Sequence, residues 1–83
     1  MNGYELEIKL RETISNYIHT NIDFTKIGAQ DNLFDLGLDS LQGIKLLVVI
    51  EEQFEIEFHD DEYNLENFKS IESIVNLLQK HLE

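Results

Sequence analysis

Apolar residues return at three- and four-residue steps in three stretches of this chain, and each stretch predicts a helix. From Tyr4 to His19 the spaced residues are Leu6, Leu10, Ile14, Tyr17 and Ile18. They describe one face of an amphipathic helix. The segment "ELEIKL" alternates as a strand would, but the longer helical period outweighs it. A second helix is predicted from Ser40 to Phe54, with Asp39 as its N-cap. A third follows Ser70, a capping residue, and aligns Ile71, Ile74, Val75, Leu78 and Leu82 on one face. Before it, "YNLENF" predicts a short helical turn.

Between these stretches the pattern breaks. From Thr20 to Asp39 the turn formers Asn21, Asp23, Thr25, Gly28, Asp31 and Asn32 accumulate. A long loop in so small a chain is more often functional than not. Its scattered apolar residues Ile22, Ile27, Leu33, Phe34 and Leu36 are expected to pin it to the core. "EIEFHDDEYN" forms an acidic connection after the second helix. The expected fold is all-α: a small bundle of three main helices plus one short helix, with a long loop between the first and second. Residues 1–83 are expected to form one domain.

The second helix differs from the others. On a wheel of about 100° per residue, Leu46, Leu47, Ile50 and Phe54 gather on one arc, with Gly43 among them. Leu41, Ile44 and Val48 gather on another, beside Ser40 and flanked by Lys45, Glu51 and Glu52. One helix in a small bundle rarely buries two arcs. Periodicity leaves open which arc faces out, or whether the loop covers the second.

Composition supports the helical reading. The chain has no proline and four glycines, and it is rich in Leu, Ile, Glu and Lys. Seventeen acidic residues against six basic ones give a formal charge of −11. That surface argues against nucleic acid or an anionic membrane as a partner. It suits partners with basic patches, or serves solubility alone. There is no cysteine, so no disulfide or thiol belongs to the chain itself. Neither a secretory leader nor a membrane-length apolar run is visible, and a cytoplasmic location is expected.

Several candidate chemistries fail on spacing. Gly37 to Gly43 nearly spells G-x-S-x-G around Ser40, but Leu38 and Gln42 stand where glycines belong. An EF-hand loop begun at Asp31 has Leu33 at its third position, which cannot ligate calcium. Asp60, Asp61 and Glu62 read as a solvated acidic face rather than a metal site. His19, His59 and His81 are dispersed and read as surface residues. Ser40 itself lies at a predicted helix N-terminus after Gly37, whose freedom at positive φ permits a sharp turn. Unpaired N–H groups there favour an anion such as a phosphate ester. Spacing alone favours the plainer reading of another capping residue.

"LFDLGLDSL" resembles the attachment motif of acyl carrier proteins and peptidyl carrier domains. Asp39-Ser40-Leu41 matches the D-S-L core, and Phe34 and Leu36 match the loop anchors before it. Glu51, Glu52 and Phe54 match the end of the second helix. "FKSIESIVNLL" matches the short third helix running into the fourth, so the resemblance spans roughly Leu6 to Leu82. It implies a four-helix carrier bundle in which Ser40, preceded by Asp39, receives 4′-phosphopantetheine from coenzyme A. A separate magnesium-dependent phosphopantetheinyl transferase would attach the arm. Its thiol would carry an acyl or aminoacyl thioester, and the chain itself would be no enzyme. The resemblance also assigns Leu46, Leu47, Ile50 and Phe54 to the core. Leu41, Ile44, Lys45, Val48, Glu51 and Glu52 become the docking surface for loading, condensing or modifying enzymes with basic patches. The carrier is expected to be a monomer.

Gln42, Gly43 and Lys45 depart from fatty-acid carriers, which place small polar or acidic residues after the serine and an acid near Lys45. They point to a polyketide, nonribosomal-peptide or related specialised pathway. Leu38-Asp39 leans toward acyl rather than peptidyl carriers, and no residue identifies the cargo. The alternative is an acidic helical interaction module with Ser40 unmodified.

Overall fold

The computed structural model describes residues 2–82, which form α1 (Gly3–Tyr17), α2 (Ser40–Phe54), α3 (Leu65–Phe68) and α4 (Ile71–Leu82), with a 3₁₀ turn at Asp60–Glu62 before α3. The four helices match the expected architecture. α1 packs against both α2 and α4, and α3 packs against α4. Each N-terminus is satisfied by a side chain that the sequence places there. Asn2 Oδ1 accepts from Glu5 N–H, Asp39 Oδ1 from Gln42 N–H, Asn64 Oδ1 from Asn67 N–H and Ser70 Oγ from Ser73 N–H. Such caps are each worth about 1 kcal/mol.

The core joins Leu6, Leu10 and Ile14 of α1 to Leu46, Ile50 and Phe54 of α2 and to Ile71, Ile74 and Leu78 of α4. The Lys9 ammonium adds a cation–π contact, 4.7 Å above the Phe54 ring. Four expectations need correction. α1 stops at Tyr17, two residues short of His19, and the Tyr17 ring is exposed. Leu82 lies beyond the packed end of α4 and is exposed, while Leu77 is buried instead. In α2, Leu47 is only half-buried and Val49 lies in the core. Leu47 and Val49 lie about 80° to either side of the midpoint between Leu46 and Ile50, so periodicity does not rank them and the neighbouring elements decide which is covered. In the loop, Leu36 is 45% exposed, whereas Phe24, Leu33 and Leu38 are buried.

The loop is held by more than these apolar contacts. Arg11 Nη1 donates to the carbonyls of Phe24 (2.9 Å) and Ile27 (2.7 Å), while its Nε pairs with Glu7 at 3.1 Å. Leu33 N–H donates to Lys69 O, and Glu72 N–H to Ala29 O. The loop is thereby bonded to α1 on one side and to the start of α4 on the other.

His81 is a further correction. Its side chain is only 12% exposed, and Nε2 lies 2.8 Å from Glu62 Oε1. The same oxygen accepts the N–H of His59 at 2.7 Å. Glu62 is therefore not a solvated acid: it ties α4 to the 3₁₀ turn. The His59 N–H, and secondarily His81, hold its carboxyl below the ordinary glutamate value, against an opposing effect of burial. Among the described residues no helix is long and apolar enough to cross a membrane.

Candidate functional site

The end of the loop delivers Ser40 to the surface. Asn32 Oδ1 accepts from the N–H groups of Phe34 and Asp35, which sets the turn. Leu38 N–H returns to Leu33 O, and Gly37 adopts φ 117°, a conformation that favours glycine. Buried Leu33 and Leu38 anchor both ends of this turn. Asp39 then opens α2 with a reciprocal pair: its Oδ1 takes Gln42 N–H at 2.7 Å, and Gln42 Oε1 takes Asp39 N–H at 3.1 Å. Gln42 thus has a structural role, closing the capping box around the serine.

Ser40 is the first residue of α2 and is exposed. The N–H groups of a helix's first turn lack intrahelical partners, and Asp39 occupies only the one on Gln42. Ser40 and Leu41 therefore stand where a phosphate oxygen would be favoured by both N–H donors and the helix dipole. The local geometry fits a phosphodiester on Ser40 Oγ. Phe34 lies over Gly43, and a Cβ added there would meet the ring at 3.5 Å. That is ordinary contact, so close packing does not demand the glycine.

The outward arc of α2 is the one containing Leu41, Ile44 and Val48, which are 76%, 60% and 47% exposed. Lys45 and Glu52 are exposed beside them. Glu51 is half-buried and turned to internal use: its Oε2 accepts from Phe58 N–H at 2.8 Å and from the Tyr63 hydroxyl at 3.0 Å. This bond raises the Tyr63 pKa, because ionising the phenol would place two anions together. No spacing in the sequence marks the Glu51–Tyr63 contact.

Beside Ser40 runs a groove of about 410 Å³ between α2 and the segment carrying α3. Phe34, Ile44, Leu47, Val48, Leu65 and Phe68 form its apolar walls, and Ser40 lies on its rim. A serine at a capped helix start, a neighbouring groove and an uncovered apolar ridge together describe a site for a tethered group.

The family of the phosphopantetheine attachment site matches residues 9–78. The chain belongs to this family. It is a carrier protein, and its cofactor is 4′-phosphopantetheine, held covalently. That sets aside the reading of an interaction module without an arm. The acyl carrier protein of Clostridium acetobutylicum is 34% identical over 76 residues, covering 90% of this chain and 94% of that one. The aminoacyl carrier protein of Agrobacterium fabrum is 30% identical over 74 residues, 89% of each. Among solved structures, one holds an engineered Bradyrhizobium japonicum glycine:[carrier protein] ligase complexed with carrier protein from Agrobacterium tumefaciens and ATP. It matches with a TM-score of 0.84 at 28% identity, over 90% of this chain and 97% of the matched chain.

Proposed function

We propose that the carrier bears its arm on Ser40 and presents a thioester-bound acyl or aminoacyl group to partner enzymes in a specialised biosynthetic pathway. The observation that carries this reading is the position of Ser40, exposed at the first residue of α2 beside the groove. In the attachment step the Ser40 oxygen attacks the phosphorus that bears pantetheine in coenzyme A. A new P–O ester bond forms, the phosphoanhydride bond breaks, and adenosine 3′,5′-bisphosphate leaves. A base of a magnesium-dependent transferase takes the hydroxyl proton. No base is needed on the carrier, which serves as a non-catalytic subunit. The bound arm supplies the thiol that the chain lacks. Asp39 and Gln42 fix the helix start, and Gly37 lets the loop reach it.

Leu41, Ile44 and Val48 form the docking ridge in this reading, with Lys45, Glu51 and Glu52 around it. An apolar ridge on a protein of net charge −11 suits enzymes with basic rims, and charge of this kind speeds encounter. Lys45 is a cation within that ridge and favours partners other than those of housekeeping fatty-acid synthesis. The likeness to the aminoacyl carrier of Agrobacterium fabrum, and to a carrier complexed with a glycine ligase, supports aminoacyl cargo within this range. The full span of residues 1–83 acts as one carrier unit.

Intact mass after incubation with coenzyme A and a broad-specificity transferase tests the assignment. One phosphopantetheine is expected on the wild type and none on Ser40→Ala. Modification of Ser40→Ala would move the arm to another residue.

A further inference from the structure

Of the six basic residues in this acidic chain, all but one have a use within it. Lys9 lies over the Phe54 ring at 4.7 Å. Arg11 is bound to Glu7 and to two loop carbonyls. Lys26 stands 3.9 Å from Asp23, and Lys69 2.8 Å from Glu66. Lys80 occupies the last turn of α4, where the helix dipole favours a cation. Lys45 is the exception. It is exposed, and among the described residues it pairs with no carboxylate. Its helix neighbours one turn away, Leu41, Gln42, Val48 and Val49, carry no charge. Glu52 lies nearly in line with it but about 10 Å further along α2, a full Debye length at 0.1 M salt. Lys45 also lies outside the last turn of α2, so the dipole does not hold it there.

We propose that Lys45 sets the specificity of docking by charge: it turns away enzymes whose face is basic where Lys45 lands and admits those that are neutral or acidic there. The inference rests on the outer arc of α2 being the docking surface. It narrows that reading from enzymes with basic rims to those whose rim is interrupted beside Leu41. Lys45 does not line the groove; it stands on the other flank of the ridge, between exposed Leu41 and Val48. A partner that covers these two side chains strips water from the ammonium at their edge. An unmatched charge counts for more there than in open solvent. Like charges brought together across an interface reject the wrong partner, and rim charges act mainly on encounter. A chain that is acidic overall attracts basic faces from a distance, and one cation on the ridge then sorts them at contact.

The test compares two phosphopantetheinyl transferases on the whole protein, one of broad specificity and one from a fatty-acid pathway. Fatty-acid carriers place an acid near Lys45, so the second enzyme serves carriers that are negative at this position. The readout is kcat/KM for attachment of the arm. The ratio of the two values cancels changes in folding or in the reactivity of Ser40. The wild type is expected to favour the broad-specificity enzyme. Lys45→Glu should reduce that preference by about fivefold at low salt, the scale of an exposed charge contact. High salt should erase the change. Lys80→Glu, the same change of charge on α4, should leave the preference as it is. A wild type without preference overturns the proposal. So does a preference that Lys45→Glu leaves unchanged, or that Lys80→Glu reduces equally, since net charge alone would then explain it. A wild type that neither transferase modifies, or a Ser40→Ala variant that either one modifies, strikes the Ser40 assignment instead. An Ile44→Asp variant modified by both at the wild-type rate strikes the docking surface, so the failures are distinguishable.

Discussion

α2 and α4 are both rich in Leu, Ile and Val, and both pack against α1, yet they distribute these residues differently. In α4 the apolar residues Ile71, Ile74, Val75, Leu77 and Leu78 are buried, and Leu82 alone is exposed at the end. In α2 a buried set, Leu46, Val49, Ile50 and Phe54, is matched by an uncovered set, Leu41, Ile44 and Val48. α4 has what a stable core requires and little more. The second set on α2 gains little from folding, because among the described residues it stays about half-exposed or more. Single exposed apolar residues are ordinary, but three at helical spacing beside Ser40 form a patch, the one proposed above for docking. The comparison teaches that α2 has two apolar faces where α4 has one, and that only the inner face of α2 contributes to the core.

The largest effects should fall on the inner faces, where the helices are alike. Phe54→Ala removes a buried ring and the Lys9 contact, and is expected to cost about 3–5 kcal/mol. Leu78→Ala in α4 should cost about 2–5 kcal/mol. Urea unfolding measures both. Should either cost less than 1 kcal/mol, the division of faces fails for that helix.

The outer faces should then separate the helices. Ile44→Asp is expected to change stability within about 0.5 kcal/mol, as exposed substitutions do. It should nevertheless sharply slow attachment of the arm or transfer of cargo. Asn76→Asp on the exposed side of α4 should alter neither stability nor transfer. A markedly destabilised Ile44→Asp would mean that this arc is buried, since an unpaired carboxylate would then be placed in the core. An Asn76→Asp variant slow in transfer would spread docking over both helices.

These two faces also mark what the sequence reveals and what it conceals. The helices, the caps Asp39 and Ser70 and the turn at Gly37 were legible because each depends on neighbours within a few residues. The exposed arc of α2 was legible as a second arc, and the family resemblance turned it outward. Which loop residues reach the core was not. Leu36 and Leu38 are equally apolar, and only the turn after Asn32 decides that Leu38 points inward. Arg11 bracing Phe24 and Ile27, His81 meeting Glu62, and Tyr63 meeting Glu51 join positions far apart in the chain. Periodicity holds no signal for such contacts.

A smaller set of effects concerns charge. Seventeen acids against six bases repel one another, and salt screens them with a Debye length of about 10 Å at 0.1 M. Tm at neutral pH is expected to rise with added salt or magnesium, and again on mild acidification. A Tm flat across ionic strength would show that repulsion does not limit the fold. Further acidification should reverse the trend through the tie that pins α4. The Glu62 carboxyl is held below its ordinary value of 4.5, chiefly by the His59 N–H and further by His81. A lowered folded-state pKa contributes stability that is present above 4.5 and is lost as pH falls through the folded value. Glu62→Gln should flatten that part of the acid limb. An unchanged limb would mean that other carboxylates govern it.

The smallest effect lies where α2 ends. α4 finishes with His81 bonded to Glu62, whereas α2 finishes at Glu55, whose φ of 56° and ψ of 46° place it in the left-handed region. Glycine is the usual residue there, because a Cβ crowds the following carbonyl. The reversal still does structural work. Glu55 N–H and Ile56 N–H both reach Glu51 O, closing the last turn and sending the chain toward Phe58. Glu55→Gly keeps these backbone bonds, relieves the strain and removes one negative charge from an acidic surface. Against it stands the greater freedom glycine gives the unfolded chain, about 0.5–1 kcal/mol. Relief of roughly 1–2 kcal/mol should outweigh that, leaving a net gain near 1 kcal/mol or less. Urea unfolding at high and low salt separates the two contributions, since only the charge effect fades with screening. Glu55 is eleven residues, about three turns, beyond Ile44, so transfer rates should not move. A destabilised Glu55→Gly would show that its side chain supports the end of α2 in a way its backbone geometry does not reveal.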